Sequence, residues 1–219
     1  MKRTMSDFPQ EERPERLRRL QKGGYPYWPK QAFPLTDAET LDAPVTRLTQ
    51  QMLSQCERVL VTASNQVNQA ALKIALRQFE DRVQVILREE GSNQVGDLRA
   101  LSKQAHDDVN LVIACGDLVF QEGDVEDFIQ THQETNHWVR GSEPIKGPLT
   151  ETLVDRTNTR ISIMPGHELR RILSYPALCY PMALAMSHVR KNVHPIKPEF
   201  NIDDWPSYMA ARDHYVDCD

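Results

Sequence analysis

Glycine is scarce, nine among 219 residues, and none of the nine is arranged as G-x-x-x-x-G-K-[ST] or G-x-G-x-x-G. The first absence excludes a Walker-type phosphate loop, and the second a dinucleotide-binding dehydrogenase. Both need backbone amides brought close to phosphate, where a side chain would intrude. The four cysteines, Cys56, Cys115, Cys179 and Cys218, are widely separated and form no C-x-x-C pair. The seven histidines show no H-E-x-x-H spacing. These two absences argue against a zinc site and for reduced thiols in a cytoplasmic setting. No apolar run approaches the ~20 residues of a membrane helix, and no apolar stretch follows Lys2-Arg3, so neither a span nor a secretory signal of the usual kind is expected. Positive charge is not in excess either: 26 Lys and Arg stand against 31 Asp and Glu, a net charge of −5. That balance argues against nucleic acid as a partner, since phosphate backbones reward a net basic surface. Internal repeats and low-complexity tracts are missing as well.

What is present is the composition of an ordinary soluble domain, 40% hydrophobic and 26% charged. The stretch that organises the reading is Asn110 to Phe120, NLVIACGDLVF. Leu111 to Cys115 form a continuous apolar or small run, which suits a strand buried on both faces of a parallel sheet. It breaks at Gly116-Asp117. Ligands of open α/β sheets sit at the carboxyl ends of strands, so Asp117 is placed for chemistry there, with Gly116 giving the backbone room to turn. Gly-Asp also serves simply to end a strand.

Residues 1–15 are polar, contain two prolines and follow neither helical nor strand periodicity, so they read as an arm, with 16–219 a single α/β domain. Arg13, Arg16, Arg18, Arg19, Lys22 and Lys30 make the first thirty residues locally basic, fit either to grip phosphates or to form a solvated face. Residues 45–55 space Val45, Leu48, Met52 and Leu53 as one helix face. A β-branched strand over 58–63 ends at Ser64-Asn65-Gln66, a capping cluster for a helix over 67–79, and 83–87 is a further strand. Strand, helix, strand at this spacing predicts a βαβ unit and a mostly parallel central sheet flanked by helices.

A helix is expected over 95–105, the strand 109–115 follows, and Gly123-Asp124 caps the next helix. Residues 137–140 and 160–164 suggest further strands. The Gly-, Pro-, Thr- and Ser-rich stretch 141–159 suits either a mobile loop over a site or plain linkage. Residues 176–189 are apolar around much of a helix circumference, which suits a buried helix or a contact with a second copy or a protein partner.

Taken in order, PKQAFPL at 29–35, ERVLVTASNQ at 57–66, the Ser-Asn-Gln turn at 92–94, GDLVF at 116–120 and FNIDDWPSYMAA at 200–211 resemble the nucleotidyltransferases of the GT-A-like α/β fold. These enzymes join a nucleoside triphosphate to a sugar phosphate, a choline-type alcohol phosphate or an acidic sugar, with release of pyrophosphate. The resemblance covers residues 16–215.

It implies a Rossmann-like domain in which Lys30 and Asp117 are catalytic and Asp117 and Asp203 hold Mg²⁺. Arg16, Arg18, Lys30 and Asn93 would contact the nucleotide. Asn93 also suits capping of the helix that follows, and Asp204, with Pro206 in the first turn, suits capping of the last helix. The chain departs from the family at its start. Arg16-Leu17-Arg18-Arg19-Leu20 is similar to the end of the family's G-x-G-x-R-L loop, but the strand and glycines before it are missing. A non-catalytic relative that binds a partner or ligand is therefore the alternative. A nucleotide-sugar-dependent glycosyltransferase would place Asp-x-Asp where this chain has Asp117-Leu118-Val119.

Overall fold

A computed structural model describes residues 15–22, 28–38, 41–88, 94–142, 158–174 and 192–216. The first helix, α1 (Glu15–Lys22), precedes a short 3₁₀ turn over Lys30–Ala32. Helix α2 (Pro44–Gln55) starts with proline at its first position, where no intrahelical amide is needed. Strand β1 (Val59–Ala63), helix α3 (Gln66–Ala75) and strand β2 (Val83–Leu87) form the expected βαβ unit, with β1 and β2 parallel and Val59 opposite Val83. Asn65 caps α3, its side chain accepting from the Asn68 amide at 2.8 Å.

Helix α4 (Gln94–Ser102) leads into β3 (Asn110–Ala114), the two-residue strand β4 (Leu118–Val119) and α5 (Asp124–His132). Gly123, at φ 92°, supplies the left-handed turn before α5. The remainder is β5 (Val139–Ser142), β6 (Asn158–Pro165), α6 (Gly166–Leu173), β7 (Asn192–Pro195), β8 (Phe200–Asn201) and α7 (Trp205–Val216).

The architecture is α/β, as the sequence predicts, but its sheets are mixed rather than mostly parallel. The strands fall into a parallel pair β1-β2, a four-stranded sheet β3-β6-β5-β7 and an antiparallel pair β4-β8. β6 runs antiparallel to both β3 and β5, and the parallel pairing resumes at β5-β7. Strand direction depends on how the chain returns to the sheet, and apolar periodicity within one strand carries no information about that.

Three apolar clusters hold these layers. One joins Trp28, Phe33 and Leu35 to α3, β2 and α7. Another joins α2 and α5 to β4, β5 and β6, and a smaller one packs Leu98 and Trp138 against α6.

The first cluster fixes the segment from Trp28 to Leu35 to the last helix. Tyr208 of α7 is fully buried and its hydroxyl donates to the Pro34 carbonyl at 2.6 Å, while its ring meets Phe33 edge-on at 5.3 Å. Burial pushes the phenol well above its ordinary range, so this hydroxyl stays a donor at any physiological pH. Tyr208→Phe should therefore cost about 1–2 kcal/mol, read from urea denaturation, because the Pro34 carbonyl loses its partner in a dry site.

Candidate functional site

Two segments that look unrelated in the sequence are joined by a very short ladder. In the β4-β8 pair, Leu118 lies opposite Asn201 and Val119 opposite Phe200. The Ile202 amide donates to the Asp117 carbonyl at 2.9 Å and the Glu199 amide to the Val119 carbonyl at 2.7 Å. This register sets Asp203 one residue beyond the partner of Asp117. The buried Gln51 of α2 locks β4 from the other side, donating to the Phe120 carbonyl and accepting from the Val125 amide.

Lys30 closes the arrangement. Its turn is anchored by Ala32, Phe33 and Leu35, all essentially buried. From there Nζ reaches Asp117 Oδ2 at 2.5 Å and Asp203 Oδ1 at 3.2 Å, across 173 sequence positions in the second case. Asp117 is 7% exposed, and two carboxylates this close would repel without a cation between them. The ammonium supplies it.

Asp203 is also oriented by Asn201, whose Nδ2 donates to Oδ2 at 2.8 Å. The capping duty falls on Asp204 instead, whose Oδ1 accepts from the Ser207 amide at 2.9 Å, and these Ser207 hydrogen bonds hold its carboxyl below the usual range. Of the two acidic neighbours, therefore, one serves the helix and the other faces the site.

Arg160 joins this group without having been singled out in the sequence. Its guanidinium lies 3.9 Å from Asp203 Oδ1, and its backbone adopts φ 57°, the left-handed region that non-glycine residues avoid. Strain of that kind gathers at functional sites. No local motif announces it; a run reading Arg-Ile-Ser-Ile-Met signals only a strand.

Asp117 and Arg160 lie at one end of a cavity of about 390 Å³ that extends between β1 and β3. Ser64, Asn68, Arg88 and Asp97 provide polar groups along it, the last two as an ion pair at 3.1 Å.

The other expected site residues are less involved. Arg18 is exposed on α1. Arg16 belongs to the same helix, and its side chain lies outside the described residues, as does Asn93. Gly116 is not needed for steric reasons: a Cβ there would meet Gln31 Cγ at 3.4 Å, an ordinary contact. Gly116 has no positive φ either, so the room it gives the backbone is not a need of this turn.

Cys115 reports on the charge of this site. Burial, and then the Asp117 carboxylate beside it, push its thiol up to about 11. Only the thiolate is nucleophilic, and its fraction at pH 7 is on the order of 10⁻⁴. Alkylation of Cys115 should accordingly be slow at neutral pH and rise about tenfold per pH unit up to pH 10, followed by mass spectrometry of the labelled peptide.

An α/β domain in which a lysine, two aspartates and an arginine converge beside a cavity is suited to holding anions and a cation together. The chain has the fold of the sugar-phosphate nucleotidyltransferases over most of its length.

A Bacillus anthracis protein assigned as a glucose-1-phosphate thymidylyltransferase superposes with a TM-score of 0.68 at 9% identity, covering 87% of each chain. HddC from Yersinia pseudotuberculosis gives 0.63 at 13% identity, over 85% of this chain and 90% of that one. The UTP-bound UGPase of Acinetobacter baumannii gives 0.58 at 11% identity, over 86% of both. No family model and no curated protein matches at the level of sequence. Among the described residues no helix is long and apolar enough to cross a membrane.

Proposed function

We propose that the protein is a nucleotidyltransferase that joins a nucleoside triphosphate to a phosphorylated or acidic small molecule and releases pyrophosphate. The observation that carries this reading is the meeting of Lys30, Asp117 and Asp203 at one point beside the cavity. Related structures in complex with UTP and with GMP-PN support the choice of ligand class.

Mg²⁺ suits the donor set. Asp117 and Asp203 offer carboxylate oxygens, and the neighbouring Asn201 Oδ1 is buried with no hydrogen-bond partner among the described residues. With these few protein oxygens, the ion would take its remaining ligands from phosphate and water. Bound there, it would neutralise phosphate charge and orient the triphosphate.

The residues' own work is positioning and charge neutralisation. An acceptor phosphate is already anionic at neutral pH, so its oxygen attacks the α-phosphorus without a general base, and pyrophosphate departs opposite. Lys30, released from the aspartates as phosphates arrive, neutralises the triphosphate. Arg160, which approaches the same Asp203 oxygen as Lys30, holds the second anion.

Arg160→Ala should raise KM for the acceptor by about 10- to 100-fold while changing nucleotide affinity by less than about threefold, measured by steady-state kinetics and calorimetry. Arg160→Gly should share that defect and yet be about 1 kcal/mol more stable than Arg160→Ala, because glycine accepts the left-handed backbone.

A second reading is supported by the same ion pairs. With Lys30 already between the two aspartates, the site is electrostatically satisfied without a metal, which is what a non-catalytic relative would show. Calorimetric titration of ATP, CTP, GTP and UTP, with and without Mg²⁺, separates the two. Metal-dependent binding of one triphosphate, followed by pyrophosphate release with a panel of sugar phosphates, supports the transferase. A folded protein that binds none of the four leaves the non-catalytic reading.

A further inference from the structure

Two histidines that stand 62 positions apart in the sequence meet ring to ring, and neither belongs to the candidate site. Nε2 of His132, the last residue of α5, lies 3.0 Å from Nδ1 of His194 in β7. The two rings are perpendicular, at 89°, and each also meets the ring of Phe128, at 5.4 and 5.3 Å. Phe128 is fully buried in the cluster that joins α5 to β5 and β6. It stands four positions before His132, so one helix face presents both rings. Across the strands, the β5 residue in register with His194 is Gly141, which sets no side chain beside the imidazole.

Protons decide whether the two nitrogens can bond. In the neutral pair one facing nitrogen carries a proton and the other a lone pair. One added proton leaves the bridge standing, because a charged ring still donates to a neutral one. A second makes both facing nitrogens donors and sets two positive rings against each other. Burial, then the neighbouring His194 and His137, lower the pKa of His132 from 6.5, and Asp127 acts against them. The carbonyl end of α5 also favours the charged form. Of the other charged residues on these elements, Asp124 and Glu126 stand in the first turn of α5, and Glu134 and Lys197 are exposed. Val139 belongs to the cluster on the α5 side, so strand alternation puts Arg140 on the opposite face of the sheet. Within β7, His194 is the one ionisable side chain.

The place of this bridge in the chain carries its effect to the aspartates. The chain leaves β4 into α5 and reaches β8 from β7, so the bridge and the β4-β8 ladder close a single circuit. Between His194 and β8 stand Pro195 and Pro198, whose fixed φ stiffens the connection. Ile196 between them joins the same apolar cluster as Phe128. A shift of β7 is therefore passed on to β8, which is held to β4 by only two residues on each side.

We infer that the His132–His194 bridge is a proton-operated latch, which when closed holds β7 against α5 and keeps β8, with Asp203 beyond it, in register with β4. The second proton, taken up on acidification, releases it. His132 binds its proton less readily in the folded chain than in the unfolded one, so the latch's contribution to stability is present above pH 6.5 and is lost as the pH falls below it. The latch goes beyond the transferase reading and does not rest on it, because its readout is backbone protection and not turnover.

The test is amide hydrogen exchange by NMR on the full chain at about pH 7.5 and about pH 5, a range over which histidines charge while most carboxylates stay ionised. Rates are expressed as protection factors, which removes the intrinsic pH dependence of exchange. The amides to follow are those of Glu199 and Ile202, which donate to the Val119 and Asp117 carbonyls across the ladder. In the wild type their protection should fall by at least about fivefold on acidification. His132→Gln puts a carboxamide near the position of Nε2, able to donate or accept by turning over, so protection should change by less than about twofold between the two conditions. His132→Phe keeps a ring and loses the bond, and its protection at neutral pH should already match the wild type's acid level. Equal wild-type protection at both pH values would overturn the latch. So would an undiminished acid loss in His132→Gln, or wild-type protection at neutral pH in His132→Phe. The contact of His214 with Glu199, at 3.3 Å, does not imitate the effect, since protonating His214 strengthens that pair and acts with the opposite sign.

Discussion

Asp117→Ala should lower affinity for the Mg²⁺ complex of the cognate triphosphate by at least about 100-fold, close to 3 kcal/mol. Asp117 is the more buried of the two carboxylates and makes the shorter ion pair with Lys30, so its loss disturbs both the metal donors and the lysine.

The metal-free protein gives a second measure. Asp117→Asn leaves the Lys30 ammonium, about a quarter exposed, with Asp203 as its carboxylate partner in this ion-pair group, at a cost of about 1–2 kcal/mol. Lys30→Met does the reverse and leaves two carboxylates facing each other. Mg²⁺ should then raise the Tm of Lys30→Met by more than that of the wild type, since the ion now relieves repulsion with no ammonium to displace. Combining Lys30→Met with Asp117→Asn should recover part of the loss, with a coupling energy of about 1–3 kcal/mol from the double-mutant cycle. Additive losses would show that the ion pair is incidental, and calorimetry then decides whether Asp117 still binds metal.

The legible part of this site is its chemistry, and the illegible part is its assembly. Asp117 stands out because it follows the apolar run of β3, whereas Lys30 beside Pro29 and Asp203 before the Pro-containing helix start stand out only through the resemblance to the nucleotidyltransferases. Helices α2 and α5 and strands β1 and β2 lie close to where the spacing of apolar residues puts them, and α7 starts where the Asp204 cap and Pro206 put it.

What brings the aspartates together is a ladder of only two residues on each side, too short to carry a period. Arg160 escaped notice for a different reason. Its left-handed backbone and its approach to Asp203 are imposed by the surroundings, and a run that reads only as a strand announces neither. The antiparallel placement of β6 is likewise a tertiary outcome, and a strand that alternates apolar and polar residues fits either direction.

Gly166→Ala should destabilise the protein by about 3 kcal/mol or more, far beyond the ~1 kcal/mol typical of a point substitution. A glycine that follows a proline between strand and helix normally tolerates alanine at modest cost unless φ is positive. Here the constraint is proximity instead. A Cβ on Gly166 would overlap the carbonyl oxygen of His106, with the His106 carbonyl carbon at 3.1 Å and the Val109 oxygen at 3.4 Å. All three are backbone atoms, so no side chain can rotate away. The Gly166 amide also donates to the Val109 carbonyl at 2.9 Å, which ties the start of α6 to the residue before β3.

Relief therefore requires moving residues 106–109, the approach to β3, away from α6. Asp117 lies three residues beyond the end of that strand, and Arg160 is hydrogen-bonded to it through Cys115. The displacement should reach the site as well as the core. Gly166→Ala should accordingly show a lower urea midpoint, with an unchanged m-value if the fold is otherwise intact, and faster exchange at the Val112 and Ile113 amides before global unfolding. A variant with wild-type midpoint and wild-type exchange would mean that the 106–109 segment yields freely, and the coupling between α6 and β3 argued from this contact would be lost.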